Sequence, residues 1–172
     1  MNNDQLKFYF DKIRNGDKNA FEKLYSDMKI PLYTIIYRIT KNKEQSEDVL
    51  HDLFIKLYQS PPLPSVNNFR AYIFKMAHNL ALNSIRKLQT EKTNDNLNDE
   101  AVQDDIITQI DVSEAMKRLP SIENEIVSLH LYGDLKFKEI SKILELPMGT
   151  VLWRYRKAIH KMRDYLKGEI TL

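Results

Sequence analysis

Apolar residues recur at helical spacing along most of the chain, and turn-forming residues divide this pattern into segments. The spacing predicts helices over Gln5–Arg14, Asn19–Lys41, Ser46–Gln59 and Phe69–Leu88, from near Asp111, and over Ile122–Tyr132 and Lys136–Glu145, with a last helix after Pro147. Pro31 lies inside the second segment, so we expect a kink or a new helix start there. The pattern therefore predicts an all-α fold.

The segment Gly133–Lys167 has the pattern of a helix-turn-helix, in which Pro147 ends the first helix and can begin the second. The second helix has an inward apolar stripe that contains Val151, Tyr155, Ala158, Met162 and Leu166. Its opposite face carries Thr150, Trp153, Arg156, Lys157, His160 and Arg163, with Arg154 and Lys161 on a flank. Such a pair suits the DNA major groove, although a helical hairpin with a solvated basic face has the same pattern.

The distribution of charge is more informative than the net charge of +2. No acid occurs from Leu53 to Thr90, whereas seven acids stand against Lys92 alone from Glu91 to Asp111. The segment Gln89–Ile110 is also poor in large apolar residues, so it lacks the means to bury a core. We therefore predict two helical domains, 1–89 and 111–172, joined by an acidic flexible linker at 90–110.

Several classes of function are excluded by what the sequence lacks. There is no cysteine, no apolar run of membrane-spanning length and no signal-peptide layout at the start, which together predict a cytoplasmic protein. No Walker loop, nucleophile elbow or paired-histidine metal motif occurs, and the four histidines are scattered over different segments. We therefore expect no catalytic residues, no metal site, no cofactor and no small-molecule substrate.

Polar positions in the first half allow two interpretations. Acids near the start of Ser46–Gln59 either favour the helix terminus or form a patch for a basic partner. The basic and amide residues of Phe69–Leu88, with Tyr72 and Phe74, either hold phosphates and stack bases or form a solvated surface. The Pro-rich stretch Ser60–Asn68 before that helix predicts a stiff surface loop, a good place for a recognition pocket.

Three segments, in this order, resemble the extracytoplasmic-function (ECF) sigma factors, which direct bacterial RNA polymerase to promoters. SEDVLHDLFIKLY at Ser46–Tyr58 is similar to the core-binding helix AEDLVQEVFLRLY of that family. FRAYIFKMAHNLALNSIRK at Phe69–Lys87 resembles its promoter-melting helix. The third segment, RLPSIENEIVSLHLYGDLKFKEISKILELPMGTV at Arg118–Val151, resembles the domain that reads the minus-thirty-five element. The resemblance covers nearly the whole chain.

The resemblance implies an alternative sigma factor with core RNA polymerase (clamp and flap), promoter DNA and a cognate anti-sigma factor as partners. It assigns core-polymerase binding to Glu47, Asp48, His51, Asp52 and Phe54. It assigns the opened minus-ten strand to the Pro-rich loop and to Arg70, Lys75, His78, Asn79, Asn83 and Arg86. It assigns the minus-thirty-five duplex to Thr150, Leu152, Trp153, Arg154, Arg156, Lys157 and Lys161.

Some positions depart from the family pattern. GTVLWRY stands where the family commonly has GTVKSR, and the resulting Trp153 either contacts a sugar or thymine methyl or packs on a neighbouring helix. Glu145 replaces a turn glycine, which is costly if its φ is positive. His51, His78 and Asn83 replace a usual glutamine, arginine and aspartate. Two other functions stay open from the residues alone: a stand-alone helix-turn-helix transcriptional regulator and a protein-binding helical adaptor.

Overall fold

The computed structural model describes residues 1–91 and 110–168, and within them the regular structure consists of eight α-helices without a strand. This confirms the predicted all-α class. The helices are α1 Asn3–Arg14, α2 Lys18–Thr40, α3 Lys43–Gln59, α4 Phe69–Glu91, α5 Ile110–Lys117, α6 Ser121–Leu131, α7 Phe137–Leu144 and α8 Met148–Leu166. The chain forms two compact units, Met1–Asn98 and Asp99–Leu172. Most of the predicted linker lies outside the described residues, but Thr90 and Glu91 belong to α4 and Ile110 belongs to α5.

The first unit packs α1 to α4 around a core of large apolar side chains. Those that are fully buried include Leu6, Phe10, Leu24, Met28, Leu32, Ile36, Leu53, Leu57, Phe69 and Ile73. The rings of Phe10 and Phe69 stack with centroids 5.6 Å apart, which joins α1 to the start of α4. The first helix is thus part of the same core as the longer helices.

A single helix, α2, runs through Pro31, so the alternative of a new helix start at this residue is wrong. A proline inside a helix removes one backbone hydrogen bond and costs about 3 kcal/mol. Burial of Met28 before Pro31 and of Leu32 and Ile35 after it offsets that cost, because each buried side chain of this kind contributes roughly 1.5–3 kcal/mol.

Capping side chains set where α1, α2 and α3 begin. Asn2 forms a capping box with Gln5, the Asp17 carboxylate accepts a hydrogen bond from the Ala20 amide at 3.1 Å, and Asn42 caps α3. All three helices therefore begin one to three residues before the predicted starts, which were read from apolar spacing rather than from the caps.

The second unit packs α5, α6 and α7 against α8. Its core includes Ala115, Met116, Leu119, Val127, Ala158 and Met162. Val151, Ala158 and Met162 of the predicted stripe on α8 are buried, and Tyr155 is half-buried. Leu166, however, is 47% exposed, so its predicted inward placement is wrong. At the last turn, Tyr165 packs against the core instead, since both residues lie about one turn beyond Met162.

Within the two described ranges, no helix combines the length and the apolar character that crossing a bilayer requires.

Candidate nucleic-acid interface

An exposed face of α8 combines an indole ring with several cations. Trp153 is 56% exposed, which disfavours the alternative that it packs on a neighbouring helix. The Lys157 ammonium lies 5.0 Å from the centroid of the indole, and the Arg154 guanidinium lies 6.0 Å from it. Trp153 also lines an open cleft together with Arg156, Lys157, His160 and Lys161. In such an arrangement, basic side chains can contact phosphates while the exposed ring contacts a base edge.

Not every basic residue of α8 is equally available to a ligand. The Lys161 ammonium donates a hydrogen bond to a carboxylate oxygen of Glu123 at 2.9 Å, and the Glu123 side chain is only 3% exposed. His160 Nδ1 lies 2.5 Å from a carboxylate oxygen of Asp164 on the same helix. Arg156 and Lys157 are exposed, whereas Arg154 is half-buried. The exposed lysines and arginines of α8 are therefore Arg156 and Lys157, near Trp153, and Arg163, nearer the end of the helix.

An aromatic cluster fixes α8 against α6 and α7. The His130 ring stacks on Phe137 with centroids 4.6 Å apart and meets the edge of Tyr155 at 5.1 Å. His130 Nδ1 also lies 2.9 Å from the Leu135 carbonyl oxygen, so the same ring holds the turn after α6. Sequence reasoning missed this role of His130, although Tyr155 lies on the predicted apolar stripe of α8.

The turn before α8 has a left-handed residue where a glycine was expected. Glu145 has φ 55° and ψ 36°, so the condition under which its side chain is costly is met. The Leu146 amide donates to the Ser141 carbonyl at 3.1 Å, and the Ser141 hydroxyl donates to the Leu146 carbonyl at 2.6 Å. These bonds close the end of α7 and set the direction in which α8 leaves the turn.

The acidic residues of α3 form an exposed surface in the first unit. Glu47, Asp48, His51 and Asp52 are all exposed, and their spacing places them on neighbouring faces of the helix. Phe54 does not share this surface.

Phe54 is 4% exposed, and its ring lies 4.6 Å from that of Tyr25 and 6.2 Å from that of Phe21. The predicted placement of Phe54 among the polymerase contacts is therefore corrected. Phe54 is a core residue that packs α3 against α2.

Polar residues form one line along α4. Lys75, Asn79, Asn83 and Arg86 are exposed, and steps of four, four and three keep them on one side of the helix. The loop 60–68 precedes this helix and exposes Leu63.

Three other residues of α4 are placed differently from the prediction. His78 is 6% exposed and Phe74 is fully buried, so neither side chain is displayed for a base. Arg70 is half-buried, its guanidinium donates to the Met1 carbonyl at 2.6 Å, and it lies 5.5 Å from the Phe74 ring. Burial removes His78 from the predicted DNA-contact surface, and its intramolecular bond makes Arg70 a less direct candidate.

Among the described residues, no cluster of three or more histidine and carboxylate side chains could hold a metal ion.

Comparisons with known proteins place both units in one family. The model of sigma-70 region 2 matches residues 24–91, and that of sigma-70 region 4 matches residues 115–164. The ECF RNA polymerase sigma factor SigW of Bacillus subtilis is 24% identical, with 96% of each chain covered. The ECF RNA polymerase sigma factor SigK of Mycobacterium tuberculosis (strain H37Rv) is 22% identical, with 90% of each covered.

Two solved structures have a similar fold. One is CnrH in complex with the cytosolic domain of CnrY, with a TM-score of 0.65, 17% identity, and 96% of this chain and 99% of that chain covered. The other is the sigma factor RpoE in complex with the anti-sigma factor NepR from Bartonella quintana, with a TM-score of 0.65, 16% identity, and 85% and 98% covered. A stand-alone regulator is not favoured, because the match extends over both units. The chain belongs to the sigma-70 family and, within it, to the extracytoplasmic-function sigma factors.

Proposed function

We propose that this chain works as an alternative sigma factor, which binds core RNA polymerase, recognises and melts specific promoters, and so starts transcription. The observation that carries the proposal is the presence of region 2 and region 4 in order along one chain whose exposed surfaces are acidic on α3 and basic on α4 and α8. The polymerase would supply the chemistry, so the chain itself would have no catalytic residues and no cofactor.

The acidic surface of α3 is the proposed site for the polymerase clamp. Glu47, Asp48 and Asp52 are exposed and would meet basic residues of the clamp, with His51 between them. Charge complementarity of this kind steers encounter and fixes orientation more than it adds affinity. Phe54 would act indirectly, by holding α3 on α2.

The line of polar residues on α4 is the proposed site for the opened minus-ten strand. Lys75 and Arg86 would neutralise phosphates, while Asn79 and Asn83 offer amide groups to base edges. Tyr72 is 38% exposed and offers a ring for stacking. Flipping a base costs a few kcal/mol, and stacking returns about 1–3 kcal/mol per base, so melting needs no ATP.

The first half of α8 is the proposed reader of the minus-thirty-five duplex. The N-terminal residues of such a helix contact base edges, which gives Thr150, Leu152 and Trp153 the central positions. Arg154, Arg156 and Lys157 would contact the backbone or guanines. Lys161 is a weaker candidate, because a phosphate contact would take it from the buried Glu123 carboxylate.

Further partners are proposed from the family and from the complexes that the similar proteins form. RpoE is bound to the anti-sigma factor NepR and CnrH to the cytosolic domain of CnrY, so we infer that an anti-sigma protein also controls this chain. The second unit would also contact the polymerase flap. Core polymerase and promoter DNA are cytoplasmic in bacteria, so we infer a cytoplasmic location for the chain.

Run-off transcription with core polymerase and genomic fragments tests the proposal. We expect start sites that share one two-part promoter motif, together with salt-sensitive binding of the holoenzyme to those promoters. Asp48→Lys should weaken co-purification with core polymerase about tenfold, because it reverses a charge at the interface. Glu22→Lys, which reverses an exposed charge on α2, is the matched control and should bind core polymerase normally.

Failure of the wild-type chain to bind core polymerase would favour a stand-alone regulator. Binding to the polymerase without promoter-dependent transcription would favour an adaptor. Equal losses in the two charge reversals would contradict the assignment of α3 as the docking surface.

A further inference from the structure

Three side-chain hydrogen bonds tie α1 to the loop 60–68 and to the first residue of α4. The Asn3 side chain donates from Nδ2 to the Asn67 carbonyl at 3.2 Å and accepts from the Phe69 amide at Oδ1 at 2.7 Å. The Arg14 guanidinium donates to the Pro62 carbonyl. A backbone amide can only donate and a carbonyl can only accept. The Asn3 side-chain NH₂ group therefore faces a carbonyl, and its oxygen faces a backbone amide.

The two tying residues are the first and last residues of α1. At about 1.5 Å per residue, their positions along the helix are roughly 17 Å apart. Arg14 holds the early part of the loop, at Pro62, whereas Asn3 holds its end, at Asn67 and Phe69. The helix α1 therefore contacts the loop near both ends of the loop.

The core fixes α1 itself, so the helix is a rigid support. Leu6 and Phe10 are fully buried, and Ile13 is 6% exposed. The Arg14 guanidinium is oriented by an ion pair with Asp11 on the same helix, which limits its freedom to leave the loop. Support from a packed helix reduces the conformational freedom that the loop would otherwise lose on binding.

The loop needs donors from outside because its own sequence provides few. Pro61, Pro62 and Pro64 have no amide hydrogen to donate. The Val66 amide donates to the Leu63 carbonyl at 3.0 Å, which forms a turn at whose start Leu63 is 65% exposed. With α1 holding both sides of this turn, the exposed tip has a defined position.

We propose that Asn3 and Arg14 are positioning residues for recognition of the minus-ten element, which hold the loop 60–68 in the shape that receives an unpaired base. This inference rests on the proposed function. The loop 60–68 lies within the segment 24–91 that matches region 2, whereas Asn3 and Arg14 lie before that segment. The ligand is an extruded base of single-stranded promoter DNA, and α1 acts on it only through the loop.

The test uses the full chain as holoenzyme on a promoter found by run-off transcription. Variants Asn3→Ala and Arg14→Met are compared with Lys7→Met, a control that removes an exposed cation of α1. Each holoenzyme is assayed for open-complex formation, by permanganate reactivity of unpaired thymines, on the intact promoter and on templates with one minus-ten base changed. Affinity for core polymerase and amide hydrogen exchange of residues 60–69 are measured in parallel.

We expect Asn3→Ala and Arg14→Met to lower the discrimination between intact and altered minus-ten elements about five- to thirtyfold, as expected for the loss of one or two hydrogen bonds. Exchange of the loop amides should become faster, while core affinity and the Lys7→Met control stay at wild-type values. Asn3→Asp keeps the acceptor for Phe69 but cannot donate to Asn67, and it should give an intermediate loss even if Asn3→Ala folds poorly.

Faster loop exchange with unchanged discrimination would overturn the inference, as would an equal loss in Lys7→Met. If the wild-type holoenzyme forms no open complex at any promoter, the proposed function fails instead, and this outcome differs from a loss of discrimination confined to the variants.

Discussion

Replacing Glu145 with glycine should stabilise the second unit, although the change removes a charged side chain from the surface. Glu145 follows the last residue of α7 with φ 55° and ψ 36°, a left-handed conformation in which the Cβ atom crowds the following carbonyl. Its side chain is exposed, so its loss removes little packing. The hydrogen bonds that close the turn involve Ser141 and Leu146 and are kept in the variant.

The expected gain is the difference between two opposing effects. Left-handed backbone costs a residue with a Cβ atom about 1–2 kcal/mol, and glycine avoids that cost. Glycine also gives the unfolded chain more freedom, which lowers the free energy of unfolding by about 0.4–1 kcal/mol. The net gain is therefore about 0–1.6 kcal/mol, near 0.8 kcal/mol at the midpoints of the two ranges. A gain of 1 kcal/mol raises the Tm of a small unit by about 4–8 °C.

Urea unfolding of the full chain, followed by circular dichroism at 222 nm, measures the gain, and hydrogen exchange of the amides in α7 and α8 assigns it to the second unit. The matched control is Lys142→Gly, at an exposed position within α7 where the backbone is right-handed. There, glycine should destabilise by about 0.5–1 kcal/mol. If both variants lower the urea midpoint, the backbone conformation of Glu145 does not determine the outcome and the reasoning is refuted.

Two further predictions concern α8. Lys161→Met should destabilise the second unit by about 1–3 kcal/mol, because the Glu123 carboxylate, 3% exposed, would lose its partner at 2.9 Å. The exposed control Arg163→Met should change stability by less than about 0.5 kcal/mol. Equal urea midpoints for the two variants would contradict the role of the ion pair. If Trp153 contacts a thymine methyl, replacing one minus-thirty-five thymine with uracil should weaken binding by the wild-type holoenzyme about fourfold, near 0.8 kcal/mol. The same replacement should leave binding by the Trp153→Ala holoenzyme unchanged. An equal effect of uracil on the two holoenzymes, measured by filter binding, would exclude that contact.

Helix type and order could be predicted from the sequence because apolar spacing reports which side of each segment is buried. Helix ends were less predictable, since they depend on single polar residues such as Asn2, Asp17 and Asn42 that precede the apolar pattern. The passage of α2 through Pro31 depends on the total burial along the helix, which no local signal contains.

The candidate site was predictable to the extent that it lies on exposed faces of single helices. Lys75, Asn79, Asn83 and Arg86 share one side of α4 as the helical period predicts. His130 was missed because its partners, Phe137 and Tyr155, come from two other helices. An aromatic residue beside a turn was the available signal, but periodicity alone gives it no partner.

The number of basic residues on α8 overstates the charge that it can offer to DNA. From Val151 to Lys167 there are six lysines and arginines and one acid, which alone would indicate a strongly basic face. The partner of Lys161 is Glu123, 38 residues earlier and on another helix, so no count along α8 can include it. A buried carboxylate keeps its lysine because an unpaired charge would be costly there. We therefore expect the sequence specificity of the proposed DNA contact to depend on the first half of α8, where Trp153 and Lys157 are exposed together, and we expect Lys161 to hold that helix in place.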